Sequence, residues 1–343
     1  MEITQEEIDG FFGDIKEMFT KKEIKKECDL KCNGCTLNAC KTNSSVITPI
    51  EPTNTLNTKV KDKSGTQRTN VIYLNTDCNL RCEYCYEGNS RNGLPDQANC
   101  KPKDVDAFLN EIVSREKGCI STIVIMGGEP FLAFDMILYT MYKAASLTKI
   151  KGNGWGISVV SNGTLFTKEK LTRYKEAIDK VSKYHVNISQ EVSYDGSGHW
   201  KRKWPDGSNS RPQVEKGIQK LIDFEIPFKI SYVAHSGNYD SIVKDCIYIL
   251  EKWPRPYPYR ITVGWAYEEL DKELGPNMAF KLKDEFRPYA IRLLDLYGTP
   301  ICGNTCGYCT KCNQENFVGN SYLSPTTGIS YDNKTTEHSF RQF

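Results

Sequence analysis

No apolar run in this 343-residue chain approaches the roughly 18 residues a membrane-spanning helix needs, so no membrane span is expected. The opening MEITQEEIDGFF is acidic and lacks the basic-then-apolar order of a secretory signal, which points to a cytoplasmic protein. An excess of one charge is also missing: 45 Lys and Arg stand against 43 Asp and Glu, a net charge of +2. That balance excludes a basic protein that coats polyanions and a chain with an acidic tail. Apolar residues make up 39% and there are 25 glycines, a globular composition that excludes disorder throughout. The length suits one large domain with extensions, or two domains.

What is present in excess is cysteine, 14 in all. Most fall into three groups: Cys28, Cys32, Cys35 and Cys40; Cys78, Cys82 and Cys85; Cys302, Cys306, Cys309 and Cys312. Cys100, Cys119 and Cys246 are scattered and read as small buried hydrophobes. A secreted disulfide framework is usually a short chain with its cysteines spread along loops, whereas clustered thiols in a long chain without a signal hold metal. The spacing C-x3-C-x2-C occurs in all three groups, and the outer two each have a fourth cysteine close behind. Four thiolates saturate a [4Fe–4S] cube, while three leave one iron uncovered. An open coordination position separates a reactive metal centre from a structural one, so the middle group is expected to be the reactive one. Zinc sites favour C-x2-C pairs across a longer gap, which the middle triad does not form; the outer groups could close on either an iron–sulfur cluster or zinc.

Residues 4–27 read as an amphipathic helix with Ile8, Phe11, Phe12, Ile15 and Met18 on one face, and 41–69 as a linker or strap. From about 70 to 265, strand patterns at 70–75, 122–127, 156–162, 186–194, 227–235 and 260–266 alternate with helical ones. The helices are expected at about 103–116, 133–148, 167–181, 211–224, 239–252 and 276–297. Six β–α repeats predict the α/β class, a partial (β/α)6 TIM-like barrel with cysteine-rich extensions at both ends. The expected division is 1–69, 70–298 and 299–343, the last a separate extension. Chemistry in such folds lies at the carboxyl ends of the strands, and the middle cysteine group follows the first strand.

On these residues the chain resembles the radical S-adenosylmethionine (SAM) superfamily. Its C-x3-C-x-aromatic-C signature reads Cys78, Cys82, Tyr84 and Cys85. GGEP at 127–130 matches the turn that binds the methionine amino group, which assigns Gly127, Gly128 and Glu129 to the cofactor. SNGT at 161–164 and QEVSYDG at 190–196 make Ser161, Asn162 and Ser193 candidates for its ribose and carboxylate. The run from Val192 to Leu221 resembles the SPASM and Twitch branch, which carries auxiliary iron–sulfur clusters; Asn333 stands where that branch has a final cysteine. The resemblance implies a [4Fe–4S] cluster, SAM, two auxiliary [4Fe–4S] clusters, and an external reductant of flavodoxin or ferredoxin type. It also implies reductive cleavage of SAM to a 5′-deoxyadenosyl radical that abstracts a substrate hydrogen.

Two substrate readings stand. The SPASM-like run points to a peptide or protein side chain. The stretch His199, Trp200, Lys201, Arg202, Lys203, Trp204, and a second of Trp253, Arg255, Tyr257, Tyr259 and Arg260, could instead stack bases and neutralise phosphates of a nucleotide or nucleic acid. A zinc-stapled interaction module is the non-enzymatic alternative. No acid–base residue is identified: Glu268 and Glu269 read as surface glutamates at a helix start, and Tyr194, Tyr232 and Tyr267 have no assigned role.

Overall fold

The computed structural model describes residues 67–85, 99–253, 258–299, 301–302, 317–324 and 328–332. The expected N-terminal helix, most of the strap, the Cys28–Cys40 group and Cys306, Cys309 and Cys312 lie outside these residues. β1 (Gln67–Tyr73), β2 (Ser121–Met126), β3 (Trp155–Ser161), β4 (Val186–Ser193), β5 (Phe228–Ala234) and β6 (Ile261–Trp265) pair in sequence order, all parallel. Between them run α1 (Pro102–Arg115), α2 (Phe134–Lys151), α3 (Lys168–Ser182), α4 (Arg211–Asp223) and α5 (Ile242–Lys252). This is the partial, curled β/α sheet that the alternating pattern predicts.

Burial alternates strictly along β2, β5 and β6: Ile123 and Ile125 of β2 are sealed beneath the helices, while Thr122, Val124 and Met126 on the other face are partly open. Strand geometry sends successive side chains to opposite faces, so one face packs on helices and the other lines the barrel interior. Each helix turns an apolar stripe to the sheet, as Val105, Phe108, Leu109 and Ile112 do in α1. Truncating such a buried isoleucine to alanine costs about 2–5 kcal/mol. Local signals set the ends: Thr167 accepts the Lys170 amide at 3.2 Å to start α3, and Gly152 ends α2 at φ 81.

Two features differ from the sequence reading. The last expected helix is preceded by a further one, giving α6 (Tyr267–Leu274) and α7 (Met278–Tyr297), with Gly275 (φ 106) and Asn277 (φ 64) in left-handed conformations between them. The short α6 buries only Leu270, too little for an apolar period to show. The tail, read as separate, sends three strands into the same sheet: β7 (Ile301–Cys302) extends it beyond β6, and β8 (Phe317–Ser324) lies parallel to β1 with β9 (Gly328–Asp332) antiparallel outside it. Among the described residues no helix is long and apolar enough to cross a membrane.

Candidate active site

The segment after β1 carries Cys78, Cys82 and Cys85 across the carboxyl ends of the strands, and each thiol is partly exposed. Its base is locked to the turn after β2. The Gly128 amide donates to Asn75 O at 3.0 Å, the Glu129 amide to Asp77 O at 2.6 Å, and the Asn75 side chain back to Glu129 O at 2.9 Å. A Cβ on Gly128 would stand 1.9 Å from Asp77 O, and one on Gly127, at φ 151, 2.5 Å from Asn75 O. Both glycines are therefore required by backbone-to-backbone contact within the protein. Their close approach is to the cysteine loop.

The side chains of Glu129 and Ser161 bond within the protein. The Glu129 carboxylate is fully buried and accepts from the Phe131 amide (2.9 Å), Ser161 Oγ (2.8 Å) and the Asn162 amide (2.7 Å). Burial pushes its pKa up, and the three donors work against that rise. Ser161 also accepts the Gly163 amide at 3.0 Å. Both side chains are engaged in tying β2 to β3, because a buried carboxylate needs donors and the strand end supplies them.

Asn162 and Ser193 do reach the rim. Asn162 Nδ2 donates to Asn79 Oδ1 at 2.8 Å and towards Cys78 Sγ at 3.8 Å, while its Oδ1 accepts from Thr164. Ser193 is partly exposed at the end of β4, in register with Ser231 of β5.

The other side of the cysteine loop rests on a network that sequence reasoning missed. Asp195, wholly buried, takes Arg202 Nε at 2.7 Å on Oδ2 and Arg202 Nη2 (3.1 Å) and the Val233 amide (3.0 Å) on Oδ1. Tyr84, between the last two cysteines of the triad, donates its hydroxyl to Asp195 Oδ2. Its ring stacks on His235 at 4.8 Å with Arg202 over it at 5.3 Å. Burial alone would raise the Asp195 pKa, but the Arg202 guanidinium reverses the sign and holds it below the usual carboxylate range. The YDG run was the visible signal for Asp195. Which cation it would pair with was not.

The basic stretch is thereby consumed. His199 is buried and its pKa falls to about 3, first through burial, so it stays neutral. Lys201 is buried against Glu269 and Ser236, and Lys203 pairs with Glu83 of the cysteine loop. Trp200, 44% exposed, is the open member. Trp253 is buried, Tyr259 bonds Ser189, Arg260 is partly exposed, and Arg255 and Tyr257 lie outside the described residues. Glu269 is not a bare surface glutamate: it also accepts from Ser236 Oγ at 2.9 Å. Burial would raise its pKa, but Lys201 and Ser236 hold it below the ordinary value, which makes it a poor proton acceptor. Tyr194 and Tyr232 donate to Glu215 and Asp245 away from the rim, and Tyr267 packs on Phe280.

The thiols suit a cationic guest. The Cys82 pKa is pushed up to about 12, first by burial and further by Cys85 and Cys78, against the pull of Arg202. Metal coordination is the ordinary way to deprotonate such a thiol. Among the described residues no three Cys, His, Asp or Glu side chains close on a single-ion site.

The chain is similar to known proteins in sequence and in fold. The chain is 25% identical to an uncharacterized protein, MJ0907, of Methanocaldococcus jannaschii over 75% of its length and 84% of the relative. It is 27% identical to a GTP 3′,8-cyclase of Alkaliphilus oremlandii over half of its own length and 48% of that enzyme. Among solved structures, anSMEcpe with bound AdoMet and Cp18Cys peptide superposes with a TM-score of 0.59 at 16% identity, covering 79% of this chain and 75% of that one. Streptococcus suis SuiB bound to precursor peptide SuiA gives a TM-score of 0.50 at 14% identity, covering 81% and 64%. The Radical SAM superfamily model matches residues 72–247, over half of the sequence and including the cysteine loop, GGEP and the Asp195 network. The chain belongs to the Radical SAM superfamily, and S-adenosylmethionine and an iron–sulfur cluster are its cofactors.

Proposed function

We propose that Cys78, Cys82 and Cys85 hold a [4Fe–4S] cluster with one iron left open, and that the enzyme abstracts hydrogen from a peptide or protein side chain. The observation that carries this reading is the clamping of the three-cysteine loop on both sides, to the Glu129 turn by Asn75 and Asp77 and to Asp195 by Tyr84. A loop so held presents its thiols in a set arrangement. The donor set fits the group: three soft thiolate donors at the open rim, with no fourth protein thiol in the motif. When bound, the cluster and SAM together supply one-electron cleavage of the sulfonium and a hydrogen-abstracting carbon radical.

The chain's own residues prepare that chemistry. Asn162 aims an amide at Cys78 Sγ, a donor suited to stabilising thiolate charge and tuning the cluster potential. Arg202 places a permanent cation near Cys82 and under Tyr84. The glycine turn brings the backbone of residues 127–129 to the cysteine loop, Asn162 stands beside both, and Asn162 and Ser193, at the ends of β3 and β4, are assigned as the polar groups for SAM. Gly127, Gly128 and Glu129 are assigned to that site through their backbone, with the Glu129 side chain as its brace.

For the substrate, the support is coverage. Structures bound to peptides superpose over about four-fifths of this chain. Lys201 and Arg202, on which the nucleotide reading drew, are buried in internal ion pairs. The outer cysteine groups are assigned to two auxiliary clusters in a cytoplasmic enzyme served by an external flavodoxin- or ferredoxin-type reductant. The test is deuterium transfer from labelled peptides into 5′-deoxyadenosine under reducing, anaerobic conditions. Transfer from a peptide and none from nucleotides is the expected result; transfer from a nucleotide alone overturns the substrate class.

A further inference from the structure

Bulky branched side chains usually fill the interior of a β/α barrel. Here the inner face of β4 to β6 carries charge instead. Glu191 of β4 stands in register with Lys229 of β5, and Lys229 Nζ bonds Glu191 Oε2 at 2.5 Å. Arg260, next to β6, shares this face by alternation with the buried Ile261, and its positive charge acts on Lys229. Its Nε is buried and meets no acceptor among the described residues, while the residue as a whole is partly exposed. The Lys229–Glu191 pair is self-compensating, so among the described residues of the layer a surplus of one positive charge remains, on a guanidinium whose Nε is an unused donor. Such a group is costly to hold in a protein interior without an acceptor. Towards the strand carboxyl ends the next positions in register are Ser193, Ser231 and Thr262, all small and partly exposed. Two residues of strand are about 6–7 Å, and β5 and β6 carry one more partly exposed layer on this face, Val233 and Gly264, so the charged layer lies two layers, about 13 Å, below their carboxyl ends.

We propose that Arg260, braced by the Glu191–Lys229 pair, forms the floor of the substrate pocket and binds a carboxylate of the peptide substrate. This rests on the peptide reading above and names the chemistry by which that substrate is recognised. A planar guanidinium fork matches a carboxylate in shape. The charge also selects it: one carboxylate neutralises the surplus, whereas a phosphate dianion overshoots it and faces Glu191.

The test uses full-length, cluster-loaded protein with SAM and three probes: N-acetyl-aspartate amide, N-acetyl-asparagine amide and inorganic phosphate, titrated calorimetrically. The aspartate probe should bind roughly tenfold or more tightly than its neutral isostere. Arg260→Gln should remove that preference. Ser231→Leu, which fills the shaft and leaves Arg260 in place, should weaken the aspartate probe by a similar factor. Equal binding of the aspartate and asparagine probes overturns the proposal, as does an undiminished preference in folded Arg260→Gln, or in Ser231→Leu if Arg260→Gln fails to fold. Phosphate binding more tightly than the aspartate probe overturns the carboxylate assignment. SAM cleavage by the wild-type protein, measured in parallel without probe, separates the two levels. Cleavage without aspartate binding removes this inference and leaves the cluster site standing, and absent cleavage removes the cluster site.

Discussion

Replacing Asp195 by alanine removes the acceptor on which Arg202, Tyr84 and the Val233 amide converge. Breaking a buried ion pair by deleting one partner costs about 3–5 kcal/mol, because the remaining charge is stranded. The orphaned amide and hydroxyl each add a penalty of about 1–3 kcal/mol where water cannot reach them. With partial relaxation, Asp195→Ala should destabilise the cluster-free protein by about 4 kcal/mol in urea denaturation. Arg202→Met should cost a similar amount, since it strands the carboxylate. The double variant removes both charges and should fall about 2 kcal/mol or more short of the sum of the singles. pH supplies an independent check. The Asp195 pKa is lowered in the fold, so its stabilising contribution is complete above the unfolded value of about 3.9 and is lost as pH falls through the folded value. The wild-type advantage over Asp195→Asn should therefore be level from about pH 5 to 7 and shrink below about pH 4. Additive single-variant costs, or an advantage that persists unchanged to pH 2, would refute the reasoning.

Three further outcomes follow from the same geometry. Gly128→Ala should cost on the order of 3 kcal/mol or more in urea denaturation, because its Cβ collides with Asp77 O, whereas Gly264→Ala, with contacts no closer than 3.9 Å, should lie within about 0.5 kcal/mol of wild type. Asn162→Ala should destabilise by about 1–2 kcal/mol and lower iron retained at the middle cysteine group, counted in protein whose outer cysteines are replaced. Lys151 is buried on the far side of the barrel and burial lowers its pKa to about 8. Its contribution is complete above the unfolded value of about 10.4 and lost as pH falls through about 8, so wild-type stability relative to Lys151→Met should rise by up to about 3 kcal/mol across that window.

The sequence shows strands more clearly than it shows what their ends do. Ile123 and Ile125 in β2, or Val159 in β3, belong to β-branched runs whose period matches a pleated strand, and the expected limits lie within a few residues of the observed ones. Phe317–Ser324 interleaves Gly, Asn and Ser with its apolar residues, so its pairing with β1 depends on a tertiary partner that local pattern does not reveal. At the site, spacing made Cys78, Cys82 and Cys85 legible, and the order of β–α units located GGEP and SNGT. Direction was not legible. Glu129 and Ser161 turn inward because a carboxylate cut off from water must collect donors, and the strand end offers them. Lys201 and Arg202 read as groups free to neutralise phosphates because sequence records charge but not burial, and their acids, Glu269 and Asp195, come from other parts of the rim.

The proposed chemistry requires one iron at the middle group that no protein thiol covers. With every outer cysteine changed to alanine, anaerobic reconstitution should give about four irons per chain, and the electron paramagnetic resonance spectrum of the reduced cluster should shift when SAM is added. Loss of all iron on removing the outer groups, or a reduced-cluster spectrum that SAM leaves unchanged, contradicts it.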